Sequence, residues 1–211
     1  PESKGPAGAR NAALAEARGE FVAVLDDDDT MLPGRLRRTL EAFRARPELV
    51  LVGGAYEVID EAGATLAVVR PPTGEAALRS LLPRHNPFCH SAVTVRRETL
   101  AALGGYREAF RYAHDYDMIL RAAERGAVAS LPDPVAGYRF HVANISAGRA
   151  ALQGAYAEAA RRCAARRARG LPEDLEGELA SLPGVAPRTG GRRARGRVRF
   201  QLGERSEEHT S

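Results

Sequence analysis

The chain has 211 residues, with 31 Lys and Arg against 27 Asp and Glu, a formal net charge of +4 and a hydrophobic fraction of 44%. That length suits one ordinary domain with an appendage, and the composition excludes wholesale disorder; no apolar run approaches the ~18–20 residues of a spanning helix, which excludes a membrane-embedded chain. The charge is unevenly placed: residues 1–148 hold 18 basic and 19 acidic side chains and residues 149–211 hold 13 and 8, so the basicity belongs to the tail.

The N-terminus, Pro1-Glu2-Ser3-Lys4, shows neither an initiator Met nor a basic-then-apolar leader and reads as a cut end. From Pro6 to Ala17 helix formers follow a proline suited to a first turn. Phe21–Leu25 is a short apolar run of the kind buried in a parallel sheet, and four aspartates, Asp26–Asp29, follow it at once. Pro33–Arg44 predicts a helix with Leu36, Leu40 and Phe43 on its inner face, closed by Pro47. A second strand is expected over Leu49–Ala55, and Asp60–Gly63 reads as a hairpin turn into Thr65–Val69. Glu75–Leu82 is a short helix, His90–Arg96 a further strand, and Glu98–Leu103 one or two helical turns stopped by Gly104-Gly105. Asp115–Arg125 is an amphipathic helix stopped by Gly126, and Ala127–Leu131 and Val135–Phe140 are the last strands. Ala150–Arg169 predicts one long Ala/Arg helix, while residues 170–200 mix Gly, Pro and charge with little apolar period and are expected to be loosely held.

Helix, strand, helix, strand is the pattern of a layered α/β domain, whose sheet binds ligands beyond its strand C-termini. The domain reading is residues 1–148 as catalytic domain and 149–204 as an Arg-rich tail. Arg205–Ser211 matches the translation of AGATCGGAAGAGCACACGTCT, which resembles the start of a sequencing adapter, so this segment and its His209 are set aside. Cys89 and Cys163 lie outside any C-x-x-C spacing; they make neither a zinc site nor a disulfide scaffold, and a reducing, cytoplasmic setting is the expectation.

Four consecutive carboxylates at the end of a buried strand repel and raise one another's pKa, so a cation is expected beside them. A hard divalent ion, Mg²⁺ or Mn²⁺, takes oxygen ligands and is typically held by one or two carboxylates together with substrate phosphates. The plainer reading is an acidic loop at the N-terminus of the helix that begins near Pro33. Asp26-x-Asp28-x-Thr30 also matches the nucleophile motif of haloacid-dehalogenase-like phosphatases, but no lysine follows Lys4 and no second Asp-Asp pair exists to complete that site. A third reading is a non-catalytic basic module using Arg161–Arg169 and Arg192–Arg199 against anionic lipid surfaces; few aromatics and no nucleic-acid motif argue against nucleic acid as a partner.

More of the chain is accounted for by another family. Residues 5–36, GPAGARNAALAEARGEFVAVLDDDDTMLPGRL, followed by Gly53-Gly54, Phe88-Cys-His-Ser-Ala-Val-Thr-Val-Arg-Arg, Leu103-Gly-Gly-Tyr-Arg107, Asp115-Tyr-Asp-Met-Ile-Leu-Arg121 and Tyr138-Arg-Phe-His141, resemble glycosyltransferase family 2 in the family's order over about residues 4–146. The resemblance implies a GT-A fold, a Rossmann-like α/β/α layered mixed sheet lacking its first strands, with a helical or irregular tail. It implies an inverting transfer from a nucleotide-sugar donor (UDP-, GDP- or dTDP-sugar) to a glycan, lipid-linked or protein acceptor. Asp26 and Asp28 are then the D-x-D pair that binds Mn²⁺ or Mg²⁺, with Asp28 the direct ligand, Asp27 beside the donor and Asp29 turned inward as a helix cap or loop brace. Asp115 matches the general base, with His114 where the family commonly has Glu. Arg10 and Arg139 match donor-binding positions, and His141 one that closes over the diphosphate or completes the metal shell. Asp117 reads as structural. The tail adds an expected peripheral contact with the inner face of the plasma membrane, and a fragment without its first strands is expected to be marginally stable and weak in donor binding.

Overall fold

The computed structural model describes residues 5–140 and 147–182. Among these, six strands form one mixed sheet: β1 (Phe21–Ala23), β2 (Thr30–Met31), β3 (Leu49–Ile59), β4 (Thr65–Val69), β5 (Thr94–Arg96) and β6 (Ala127–Arg139). The order is β1-β5-β3-β6-β2, with β4 added to the far half of β3; only β3 and β6 run parallel to each other. Seven helices cover it: α1 (Gly5–Glu16), α2 (Arg35–Ala45), α3 (Glu75–Leu81), α4 (Arg97–Ala102), α5 (His114–Ala123), α6 (Ala147–Ala168) and α7 (Leu175–Ala180), with a single 3-10 turn at His90–Ala92. Among the described residues no helix is long and apolar enough to cross a membrane.

Consecutive strand residues point to opposite faces, and β3 shows the result. Leu51 joins Val95, Leu100, Met118, Ile119 and Val128 in the larger core, whereas its neighbour Val52 packs with Phe43, Leu49 and Ala127 on the other side. The sheet therefore has a helical layer on each face. Tyr156, Ala159 and Ala160 of α6 lie in the larger core beside α5, so the Arg-rich segment begins inside the packed body of the chain.

Four local expectations change. Helix α2 is turned from the face expected of it: Arg35, Thr39 and Phe43 are buried, while Leu36 is 49% exposed and Leu40 half-buried. The reason is Arg35, whose Nη2 donates to the carbonyls of Val24 (2.8 Å) and Val93 (3.0 Å) and draws that edge of the helix inward. Pro132 and Pro134 do not split β6 in two. The register against β3 jumps from Gly54↔Leu131 to Ala55↔Pro134, so the prolines occupy a bulge where no ladder donor is needed. Residues 90–96 divide into the 3-10 turn and β5, and β3 runs on past Ala55 because the β4 hairpin supplies its partner.

This topology fixes the place of the acids. β1 and β2 are opposite edges of the path, and residues 24–29 carry the chain between them before Thr30 pairs with Gly137 near the end of β6. Gly53-Gly54 on β3 leaves room beneath: a Cβ at Gly53 would lie 2.2 Å from the Phe88 ring, and one at Gly54 2.7 Å from Val135. Gly53→Ala should therefore cost about 1–3 kcal/mol, as overpacking usually does. A lower midpoint in urea unfolding is the expected result, and an unchanged midpoint would show that Phe88 yields freely.

Candidate active site

Above these elements lies a cavity of about 640 Å³. Its walls come from distant parts of the chain: Arg10 on α1, Asp26 and Asp29 after β1, Tyr56 on β3, Asn86, Phe88, Cys89 and His90 before β5, Ala113 to Asp115 at the start of α5, and Tyr138 on β6. Of the four aspartates, Asp26 and Asp29 line it, and Asp27 and Asp28 are exposed.

The acidic turn is closed by the Asp29 N–H donating to the Asp26 carbonyl at 3.2 Å. Arg10 Nη2 makes an ion pair with the Asp26 carboxylate, while the Asp26 N–H donates to Ser91 Oγ at 3.0 Å. The Asp29 carboxylate accepts from the Arg139 backbone N–H at 2.8 Å, which makes it the inward brace that was expected. Burial raises the pKa of Asp29 and the neighbouring charges of Asp28 and Asp26 add to the rise; Ser91 and the Arg139 amide oppose it. The Arg139 guanidinium is turned away from the cavity's interior: Nε donates to the Asp28 carbonyl (2.8 Å) and Nη1 to those of Asp60 (2.8 Å) and Glu61 (2.9 Å). Arg139 ties the acidic turn to the β3–β4 hairpin.

Asp115 sits in the first turn of α5, where its Oδ2 accepts from Asn86 Nδ2 at 2.9 Å. Asn86 in turn accepts the Phe88 N–H, so the loop that brings the amide is itself fixed. Ala113, just before the helix, has φ 52, the sole positive φ outside glycine among the described residues. Asp117 faces the core, paired with Arg121 (2.9 Å) and Arg107 (3.3 Å), and is structural. Between the two acidic groups lies a ring cluster. His90 Nε2 is 3.0 Å from the Tyr106 hydroxyl, and His114 packs edge-on against both rings, with its Nε2 3.0 Å from Arg10 Nη1. Burial holds the His90 pKa down to about 3 and lowers that of His114. Cys89 also lines the cavity, but burial pushes its thiol up to about 12, so it stays protonated and is no nucleophile at neutral pH.

Arg10, Asp26 and Asp115 thus come together on one cavity; Asp27 and Asp28 sit on the exposed side of the turn, and His141 lies outside the described residues. Asn86, Ser91, His90 and Tyr106 were not singled out for any role. No spacing rule connects residue 86 to residue 115. Among the described residues no three His, Cys, Asp or Glu side chains form a metal-holding group. The acidic turn still fits a hard divalent ion of the type that takes one or two carboxylates and completes its shell with substrate phosphates, since its donors are all oxygen.

Comparison with known proteins agrees with this picture. The model of glycosyl transferase family 2 matches residues 1–104. The O-antigen biosynthesis protein RfbC of Myxococcus xanthus is 33% identical over 183 residues, covering 85% of this chain and 13% of that protein. Among solved structures, Staphylococcus aureus TarS 1–349 in complex with UDP-GlcNAc superposes with a TM-score of 0.57 at 16% identity, covering 85% of this chain and 52% of that one. Mannosyltransferase PcManGT from Pyrobaculum calidifontis, in complex with GDP-Man and Mn²⁺, gives 0.53 at 19% identity, covering 85% and 48%. These likenesses establish the GT-A fold. The chain spans less than half the length of the curated relatives it matches.

The ring cluster has a measurable consequence for folding. The unfolded chain protonates His90 below about pH 6.5, whereas the folded chain resists until about 3. Between those values the unfolded state binds the extra proton, so stability rises with pH, by up to about 1.4 kcal/mol per pH unit for this one group. Urea unfolding across that window should show His90→Gln with a flatter dependence than the unsubstituted chain; equal slopes would mean that His90 takes a proton inside the fold.

Proposed function

The chain belongs to glycosyl transferase family 2, and from that premise we propose that it moves a sugar from a nucleoside-diphosphate donor to an acceptor hydroxyl with inversion at the anomeric carbon. One observation carries the reading: a single cavity is lined both by the acidic turn with its arginine and by Asp115. Such a transfer needs groups for an anionic leaving group at one end and a proton acceptor at the other.

In this reading Arg10 meets the donor diphosphate, its planar fork suited to phosphate oxygens. Asp115 takes the proton of the acceptor hydroxyl as that oxygen bonds to the anomeric carbon and the bond from that carbon to the diphosphate oxygen breaks. Asn86 holds Asp115 Oδ2 from one side, leaving its other oxygen for the acceptor. Asp28, with Asp26 and His141, would hold Mn²⁺ or Mg²⁺, which when bound supplies Lewis-acid stabilisation of the charge on the departing diphosphate. The Arg139 guanidinium, engaged by three carbonyls, acts on the donor by bracing the turn. The sugar nucleotides bound to TarS and PcManGT, and the Mn²⁺ of the latter, support the donor class and the metal. The names of RfbC, an O-antigen biosynthesis protein, and of ExoO, a succinoglycan biosynthesis protein, support polysaccharide biosynthesis as the setting of the transfer.

Neither other reading gains support. The phosphatase reading needs a downstream lysine and a second Asp-Asp pair, and the sequence has neither. The basic-module reading relies on arginines of which Arg161, Arg162 and Arg167 are already ion-paired with Glu158, Glu178, Glu124 and Glu173.

Sugar transfer from UDP- and GDP-linked donors provides the test. Asp115→Asn should lower turnover by at least about 100-fold, the usual scale of a general base, while nucleotide affinity stays close to that of the unsubstituted chain. Asn86→Leu should lower turnover by roughly tenfold, since a mispositioned base loses part of its effect. Chelation of divalent ions should abolish donor binding. Full turnover in Asp115→Asn would sink the assignment.

A further inference from the structure

We infer that His114 is a positioning residue for the donor: an uncharged acceptor that holds the Arg10 guanidinium beside Asp26 in the orientation a diphosphate meets. The inference rests on the glycosyl-transfer reading above and adds to it a residue with no part in the chemistry itself.

The argument begins with what a guanidinium can do. It donates and cannot accept, so the 3.0 Å contact between Arg10 Nη1 and His114 Nε2 requires Nε2 to be unprotonated. The ring is then neutral and carries its proton on Nδ1, which is buried and has no hydrogen-bond partner. Desolvation, which lowers the pKa of His114, favours the same neutral form.

The ring is also held in place. It lies edge-to-face on His90, with centroids 5.8 Å apart, and on Tyr106, at 6.0 Å, and those two residues are hydrogen-bonded to each other. Arg10 Nη2 is meanwhile fixed by Asp26, so the guanidinium is clamped through both terminal nitrogens while the residue lines the cavity. The charge of the clamp follows from its two jaws. With one carboxylate and one neutral ring, the cation carries a single compensating anion. A neutral acceptor orients the arginine without cancelling its charge, and imidazole does this with a rigid ring.

The test combines a spectroscopic and a binding readout on the full chain. ¹⁵N–¹H correlation of the imidazoles should show His114 as the Nδ1–H tautomer; an Nε2–H tautomer would overturn the inference without any substitution having been made. Calorimetric titration with UDP and with GDP, each with Mn²⁺, should show His114→Leu binding roughly tenfold more weakly, the scale of one lost hydrogen bond to a charged group. His114→Gln, whose Oε1 can accept from Arg10, should recover most of that affinity. In transfer assays the loss in His114→Leu should appear in donor KM more than in kcat. Binding by the unsubstituted chain with no loss in His114→Leu would overturn this role alone. An unsubstituted chain that bound neither nucleotide would overturn the glycosyl-transfer reading, and this role with it.

Discussion

Repulsion within the acidic turn is the constraint around which the molecule is arranged. Four carboxylates in a row favour an extended, solvated loop, yet this turn is closed on itself and two of its members face a cavity. What offsets the repulsion is a set of arginines drawn from remote segments. Arg10 comes from the helix before β1 and pairs with Asp26. Arg139 comes from the end of β6 and holds the turn by its amide and its guanidinium. Arg35 lies fully buried under α2 and reaches the Val24 carbonyl, two residues before the first aspartate. Its Nε and Nη1 have no hydrogen-bond partner, so the Val24 and Val93 carbonyls at Nη2 are what hold it, and burial lowers its pKa. The same compensation explains why α2 presents Arg35 to the sheet and leaves Leu36 outside.

Which features could be read from the sequence follows from the range of the forces involved. The helices and most strands were legible because they are set by local period and by Gly and Pro punctuation. The Asp60–Gly63 turn and the β4 strand follow from four residues, and the α5 helix from an apolar stripe. The period points α2 toward Leu36 because amphipathicity counts apolar residues, whereas an arginine with two buried carbonyl partners outweighs one leucine at the surface. β6 was read as two strands because prolines signal a break, and nothing local says that a bulge will absorb them. At the site, Asp26 and Asp115 were legible by motif. Asn86, Ser91, His90 and Tyr106 were not, because their meaning lies in contacts across 16 to 65 residues of chain.

Net charge misleads in a related way. The excess of arginine in the C-terminal segment looks like a cationic surface when counted, but among the described residues Arg161, Arg162 and Arg167 are paired with carboxylates. Arg167 binds Glu124 at the end of α5 and Glu173 after α6, and Arg107 joins Glu173 to the buried Asp117. Exposed pairs of this kind each contribute little, about 0–1 kcal/mol. Their connection to a buried carboxylate gives them another consequence: α6 and the loop before α7 are tied electrostatically to the same helix that carries Asp115.

That connection bears on the strain at Ala113. A non-glycine residue in the left-handed region costs on the order of 1–3 kcal/mol and persists only where its surroundings over-determine it. Here the surroundings do so on every side. The Ala113 carbonyl accepts the Asp117 N–H at 3.0 Å, Asp117 is locked by two arginines, the Tyr116 hydroxyl donates to the Leu82 carbonyl, and His114 is held by Arg10 and two rings. Relaxing φ at Ala113 would swing His114 and Asp115 together, breaking the contact to Arg10 and the one to Asn86 in a single motion. The backbone strain and the ring cluster are therefore parts of one device: the fold accepts a local cost at residue 113 because that conformation alone lets neighbouring side chains address the acidic turn and the opposite end of the cavity at once.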